Sequence, residues 1–221
     1  MPSTSPVLAG WAILLAAGLL MGGCGGHGGT DGSGHAVTEP RAVGAFSRVD
    51  LSGAADVEVS IGPVQSVEVT LDDNLIPLVE TKVEGDTLKI DSTQSYNSSL
   101  GLKIKIVAPS LEGFAVSGAA NLHAVGLAAK TFSLDISGAG NADLQGSVDA
   151  LDVQVSGAAK IQANDLTAKQ VKVDLSGASS AEVCATESLD ATVSGAGSVQ
   201  YRGHPAHITQ NISGAGSVQA E

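Results

Sequence analysis

Aromatic side chains are scarce in this chain, with three Phe, two Tyr and one Trp among 221 residues. A core built without them relies on Val, Ile, Leu and Ala, which suits thin, repetitive layers better than a bulky globular interior. Arginine is scarce too, present only at Arg41, Arg48 and Arg202, and the formal net charge is −12. So acidic a surface is a poor match for nucleic acid, whose binding rests on clustered Lys and Arg, and for anionic lipid headgroups. Cysteine occurs twice, at Cys24 and Cys184. If Cys24 is consumed by processing, Cys184 has no intramolecular partner and disulfide stapling is excluded; its thiol reads as half-buried and inert. No Gly-x-Ser-x-Gly elbow is present, so no serine is marked as a nucleophile. Gly138-Ala139-Gly140 and Gly195-Ala196-Gly197 supply half of a dinucleotide fingerprint, without its third glycine or following helix. His204-Pro205-Ala206-His207 brings two imidazoles together, but no Cys or acid cluster accompanies them, and it reads as a surface turn. The expectation is no catalytic residue, no cofactor and no metal.

Long apolar runs are also missing, with one exception. Val7 to Met21 is uninterrupted over 15 residues and precedes Gly22-Gly23-Cys24. That length matches a signal peptide and is short for a membrane span. Small residues directly before a cysteine resemble the bacterial lipobox, in which the cysteine is lipidated and becomes the new N-terminus. Residues 1–24 are thus expected to be a lipoprotein-type signal with Cys24 as the lipidation site. The product would be exported to the cell envelope and held to the outer membrane or cell surface by its acyl chains, at ~0.8 kcal/mol per buried methylene. Gly25-Gly26-His27-Gly28-Gly29 opens a glycine-rich stretch, and residues 25–44 read as a flexible tether. Residues 45–221 form the folded domain.

What the chain has in abundance is one phrase. Ser-Gly-Ala begins at Ser52, Ser117, Ser137, Ser156, Ser176, Ser194 and Ser213, and from Ser117 the gaps are 20, 19, 20, 18 and 19 residues. A fixed period near 20 marks a repeat architecture. One residue before the serine stand Val116, Ile136, Val155, Leu175, Val193 and Ile212; three before, Phe114, Leu134, Val153, Val173, Ala191 and Gln210. Five after it stand Leu122, Ala142, Ile161, Ala181, Val199 and Val218. This is the period-two alternation of strands with one buried face. The period is too short for a propeller blade and lacks leucine-rich-repeat grammar, whereas a stack of short β repeats buries each apolar face against its neighbours. The expected fold is an all-β, single-stranded β-helix or solenoid of ~19–20-residue coils, right-handed because parallel crossovers are overwhelmingly so.

Within each coil the phrase has a structural role at the corner. Gly53, Gly118, Gly138, Gly157, Gly177, Gly195 and Gly214 can take positive φ. The following alanine is small enough to sit inside, and the hydroxyl can bond free backbone groups. Four residues before the serine, Asp152, Lys172 and Asp190 would alternate in sign across neighbouring coils. Between Ser52 and Ser117 the pattern loosens. Strand runs at Val57 to Ile61, Val67 to Leu71, Leu78 to Val83 and Leu102 to Ile106 are broken by Gly62-Pro63, Glu84-Gly85-Asp86 and Pro109. That 65-residue interval corresponds to about three coils with an insertion. Asp72-Asp73-Asn74 reads as a turn.

Ala45-Phe46 leading into Val-Asp-Leu-Ser-Gly-Ala-Ala-Asp-Val-Glu-Val, then Gly-Asp-Thr-Leu-Lys-Ile, Ile-Val-Ala-Pro-Ser-Leu and repeated Val-Ser-Gly-Ala resembles the bacterial putative auto-transporter adhesin head domain, the GIN domain. The resemblance covers about Ala45 to Glu221. It implies an all-β solenoid on secreted or lipid-anchored envelope proteins and brings no catalytic residues. The functional expectation is a non-enzymatic adhesion or surface-contact module whose partner is a surface protein or a glycan. The alternative is a glycan-binding or glycan-cleaving protein. Ser213 to Gln219 repeats Ser194 to Gln200 letter for letter, so the last coil looks uncapped and is expected to pair end to end with a second copy.

Overall fold

The computed structural model describes residues 28–221; the signal segment, Cys24 and His27 lie outside the described residues. Thirteen strands follow in order: β1 (Thr30–Asp31), β2 (Ala36–Pro40), β3 (Arg48–Ile61), β4 (Ser66–Asp72), β5 (Val79–Glu84), β6 (Thr87–Ser92), β7 (Tyr96–Asn97), β8 (Lys103–Ala108), β9 (Gly113–Gly177), β10 (Ser180–Gly195), β11 (Ser198–Arg202), β12 (His207–Gly214) and β13 (Ser217–Ala220). The one helical turn among the described residues is a 3-10 turn at Ile76–Leu78. The domain is all-β.

Stretches one repeat apart in sequence lie side by side, parallel and in register. Leu189 to Gly195 pairs with Val171 to Gly177 on one side and with Ile208 to Gly214 on the other. Ser180 to Val183 likewise lies between Lys160 to Ala163 and Ser198 to Tyr201. β9 is strand throughout its 65 residues because hydrogen bonding to the adjacent layer continues through each Ser-Gly-Ala bend. The apolar columns face one interior. Phe114 and Phe132 are buried there with Leu134, Val153, Ile161 and Val173, and each such side chain removed from water contributes about 1.5–3 kcal/mol before chain entropy is counted. In the last layer the columns lose their cover, so Ile208 and Ile212 are 43 % and 45 % exposed.

The interval between Ser52 and Ser117 is not three further coils. β3 pairs directly with the start of β9, Ser52 beside Ser117 and Gly53 beside Gly118. The intervening residues fold on the opposite side of β3. There β6 and β8 lie parallel under its two halves. Beneath them, β5 is antiparallel to β6, β4 to β8, and β2 to β4. The reversals follow from local chemistry: Gly85, at φ 66°, allows the two-residue turn between β5 and β6, and Pro109 halts β8. The parallel stack is thereby closed at this end by antiparallel strands. The stretch expected to be a free tether is paired from Thr30 onward, since β1 lies against β7 and β2 forms the outermost strand of this layer.

Candidate functional site: the Ser-Gly-Ala flank

The bend is a place where alternation continues while the chain changes direction. Each of its seven glycines has φ between 103° and 140°. From Gly118 onward each also lies directly over the backbone of the glycine one layer earlier. A Cβ on Gly195 would stand 2.6 Å from the carbonyl oxygen of Gly177, and on Gly138 or Gly157 it would overlap the corresponding oxygen outright. Backbone conformation and close approach both demand glycine here. The alanine that follows is exposed at all seven bends, contrary to the inward placement read from sequence. The residue after it turns inward instead, with Ala55, Ala120, Ala159 and Ser179 buried. The reason is parity: counting by twos from Val116 passes through Gly118 to Ala120, and Ala119 falls on the outer face.

From Ser117 onward the bend serines are exposed, and Ser52 is half-buried. Ser117, Ser137, Ser156, Ser176 and Ser194 form one wall of a groove of about 410 Å³ that crosses five layers. The other wall is the outward column two residues earlier, Ala115, Asp135, Gln154, Asp174 and Thr192; Val116, Ile136, Val155 and Leu175 lie beneath. Partial burial, and secondarily the nearby Asp152 carboxylate, push the Asp135 carboxyl above its usual range, with Arg48 opposing. One carboxylate oxygen of Asp152 is buried without a hydrogen-bond partner. Lys172 neighbours Asp190 across the layers, yet its ion pair is with Asp174 two residues along its own strand, at 2.9 Å.

Beyond the bend the flank is knit into ladders. Asn121 Nδ2 donates to Asp56 Oδ1 at 2.8 Å and Asn141 Nδ2 to Asn121 Oδ1 at 2.9 Å. In the adjacent column His123 Nδ1 lies 3.0 Å from Asp143 Oδ2. Among the described residues no three His, Cys, Asp or Glu side chains are arranged to hold a metal ion. His204 and His207 are exposed, and Cys184 is a half-buried free thiol.

Asp72, read from sequence as part of a turn, is fully buried. Its carboxylate accepts from the Gly34 N–H at 2.6 Å and from the Ser98 hydroxyl. The Ser98 bond, with the Gly34 N–H assisting, holds its carboxyl below the usual range against the opposing effect of burial. Beside it the Ser33 hydroxyl donates to Asp73, and Asn74 donates to the Asp31 carbonyl at 2.8 Å. Together these bonds clasp the incoming chain to the antiparallel layer.

The described residues thus form a domain of parallel β layers with one polar edge repeated layer after layer. Residues 45–205 match the family model described as "Putative auto-transporter adhesin, head GIN domain", and the chain belongs to that family. The resemblance carried by its Val-Ser-Gly-Ala copies is therefore borne out. Among solved structures it is similar to a putative adhesin from Bacteroides fragilis, at 25 % identity and a TM-score of 0.71, covering 87 % of this chain and all of that one. Putative adhesins from Parabacteroides merdae and Parabacteroides distasonis share the fold, at 20 % and 21 % identity, each with a TM-score of 0.57, covering 87 % and 88 % of this chain and 98 % and 100 % of theirs. None of the curated proteins compared with it matches.

Proposed function

We propose that this chain is a non-enzymatic adhesion module of the bacterial envelope, a right-handed β-solenoid that meets its partner along its flank. Family membership and the adhesin-like neighbours support the surface location. Parallel pairing at intervals of 17 to 20 residues supports the solenoid. The observation that carries the adhesive role is the groove at the bends, where the same two outward positions recur over five layers and compose a continuous contact surface. Its main-chain groups are engaged between layers, so contact falls to side chains.

Attachment through a lipid on Cys24 belongs to the same proposal. Five residues lie between Cys24 and Thr30, the first paired position, and at ~3.3–3.6 Å per residue the six steps reach about 20 Å. The antiparallel layer would then sit close to the membrane. End-to-end pairing of two copies is also part of the proposal, supported by Ile208 and Ile212 at about half exposure.

The glycan-cleaving alternative draws on Asp135, whose raised carboxyl lies in the groove. Two assays on the purified protein separate the readings. Beads coated with residues 28–221 should adhere to bacterial or host-cell surfaces, while a polysaccharide panel incubated with the protein should release no reducing ends. Release that disappears with Asp135→Asn would replace adhesion by catalysis. Failure of the beads to adhere to any surface would overturn the adhesive reading.

A further inference from the structure

The chemistry of the groove narrows the partner further, on the adhesive reading above. The geometry points to a linear glycan without acidic groups, lying along the groove with about one sugar to each layer. Three observations converge on this class. First, the groove is continuous over five layers and repeats at the spacing of stacked strands, ~4.8 Å, close to the length of one hexose in an extended chain. A ligand that uses equivalent positions on every layer must itself repeat at that distance.

Second, the walls supply the partners that sugar hydroxyls need. Carboxylate, amide and hydroxyl groups of Asp135, Gln154, Asp174 and the bend serines stand on either side of a floor of main chain at Val116 and Ile136, whose side chains are buried on the inner face. Ring hydroxyls meet the walls. A concave site with a few polar groups and a perturbed carboxyl has the general form of a ligand site. Third, charge and backbone exclude the competitors. The groove lining carries the carboxyls of Asp135 and Asp174 and no Lys or Arg, and nearby Lys172 is already engaged by Asp174, so a uronate or sulfated chain would find no free cation to meet. An extended peptide would look for free strand edges to extend, and the layers lining the groove are paired on both sides.

Binding of chitohexaose, cellohexaose and hexagalacturonate to residues 28–221 tests this by calorimetry, with the dimer and tetramer of each sugar as length controls. At least one neutral hexamer should bind, tightening at least tenfold from dimer to hexamer, and hexagalacturonate should bind at least tenfold more weakly. Ser156→Phe, at an exposed position in the middle of the groove, should weaken the hexamer at least tenfold, while Gln162→Ala on the far side of the bend should leave it unchanged; unaltered circular dichroism certifies both folds. Absence of binding by every neutral hexamer, equal affinity for dimer and hexamer, preference for the uronate, or indifference to Ser156→Phe each overturns the glycan assignment. The bead assay separates the two levels. Adhesion that persists with Ser156→Phe removes the groove ligand and keeps the adhesive module, whereas loss of adhesion by the wild-type protein removes both.

Discussion

An alanine at position 138 would have to tolerate φ 138° and drive its Cβ into the carbonyl oxygen of Gly118. At position 53 it would face a similar φ, 103°, with open space around it. The pair separates two costs that coincide at the other bends. Gly53→Ala is expected to destabilise by about 2 kcal/mol, the cost of an unfavourable backbone conformation alone. Gly138→Ala adds overpacking and is expected to cost about 4 kcal/mol. Urea denaturation followed by circular dichroism checks both, and equal losses would mean that the layers part easily. Asp72 invites a second residue-level experiment. Its carboxyl is held below the usual range, so its contribution is present above the unfolded-state pKa and is lost as pH falls through the folded one. Asp72→Asn should lower Tm at pH 7, and the gap to wild type should narrow at pH 3. A gap independent of pH would show that shape, and not charge, holds the clasp.

At the scale of strands, one column experiences two environments. Val193 is completely buried between neighbouring layers, while Ile212, its counterpart one layer on, is 45 % exposed. Val193→Ala should cost about 2 kcal/mol and Ile212→Ala less than about 1 kcal/mol by the same denaturation measurement, because only the first leaves a cavity. The hairpin of β5 and β6 provides a pH-dependent pair. Glu84 lies 2.8 Å from Lys82 and 2.7 Å from Lys89, whose hydrogen bonds hold its carboxyl down to about 2. The lowered value makes this support available above the ordinary carboxylate range and removes it as pH falls toward 2. All three side chains are well exposed, so Glu84→Gln should lower Tm only slightly at pH 7, and less again in 1 M salt. The columns at Phe114, Leu134 and Val153 were legible in the sequence because alternation is a local property of a strand. The fate of Ala119 was legible too, had parity been carried through the glycine. The antiparallel layer was not, because β2 meets β4 across about 30 residues and nothing in either announces the other. Asp72 was hidden for a similar reason: Asp-Asp-Asn has the composition of an exposed turn, and its burial depends on Gly34 and Ser98 arriving from elsewhere.

For the whole molecule, the arrangement of layers predicts how it comes apart. β12 pairs with β10 and β13 with β11, so the final layer supports only its immediate predecessor. Stability in such an array is close to a sum over adjacent layers. Removing residues 204–221 should leave a cooperatively folded protein with a lower Tm, read by thermal circular dichroism. Removing residues 28–44 should do more damage, because β2 covers β4 and Gly34 satisfies buried Asp72. A truncation of the last layer that unfolds the domain would contradict this account.

The contact of glycine backbone upon glycine backbone also constrains how such a gene can change length. A layer with its bend displaced against its neighbour would place a side chain where only hydrogen fits, so a change of one or two residues must be taken up away from the bend, as the register shifts at Val183/Cys184 and Ala185/Ser188 do, while whole units are admitted without adjustment. The heptapeptide Ser194 to Gln200, identical to Ser213 to Gln219, is the protein-level trace expected of recent unit duplication. Near-identical neighbouring coding segments favour slippage and unequal recombination, so lineages carrying this domain should differ in length by multiples of one repeat.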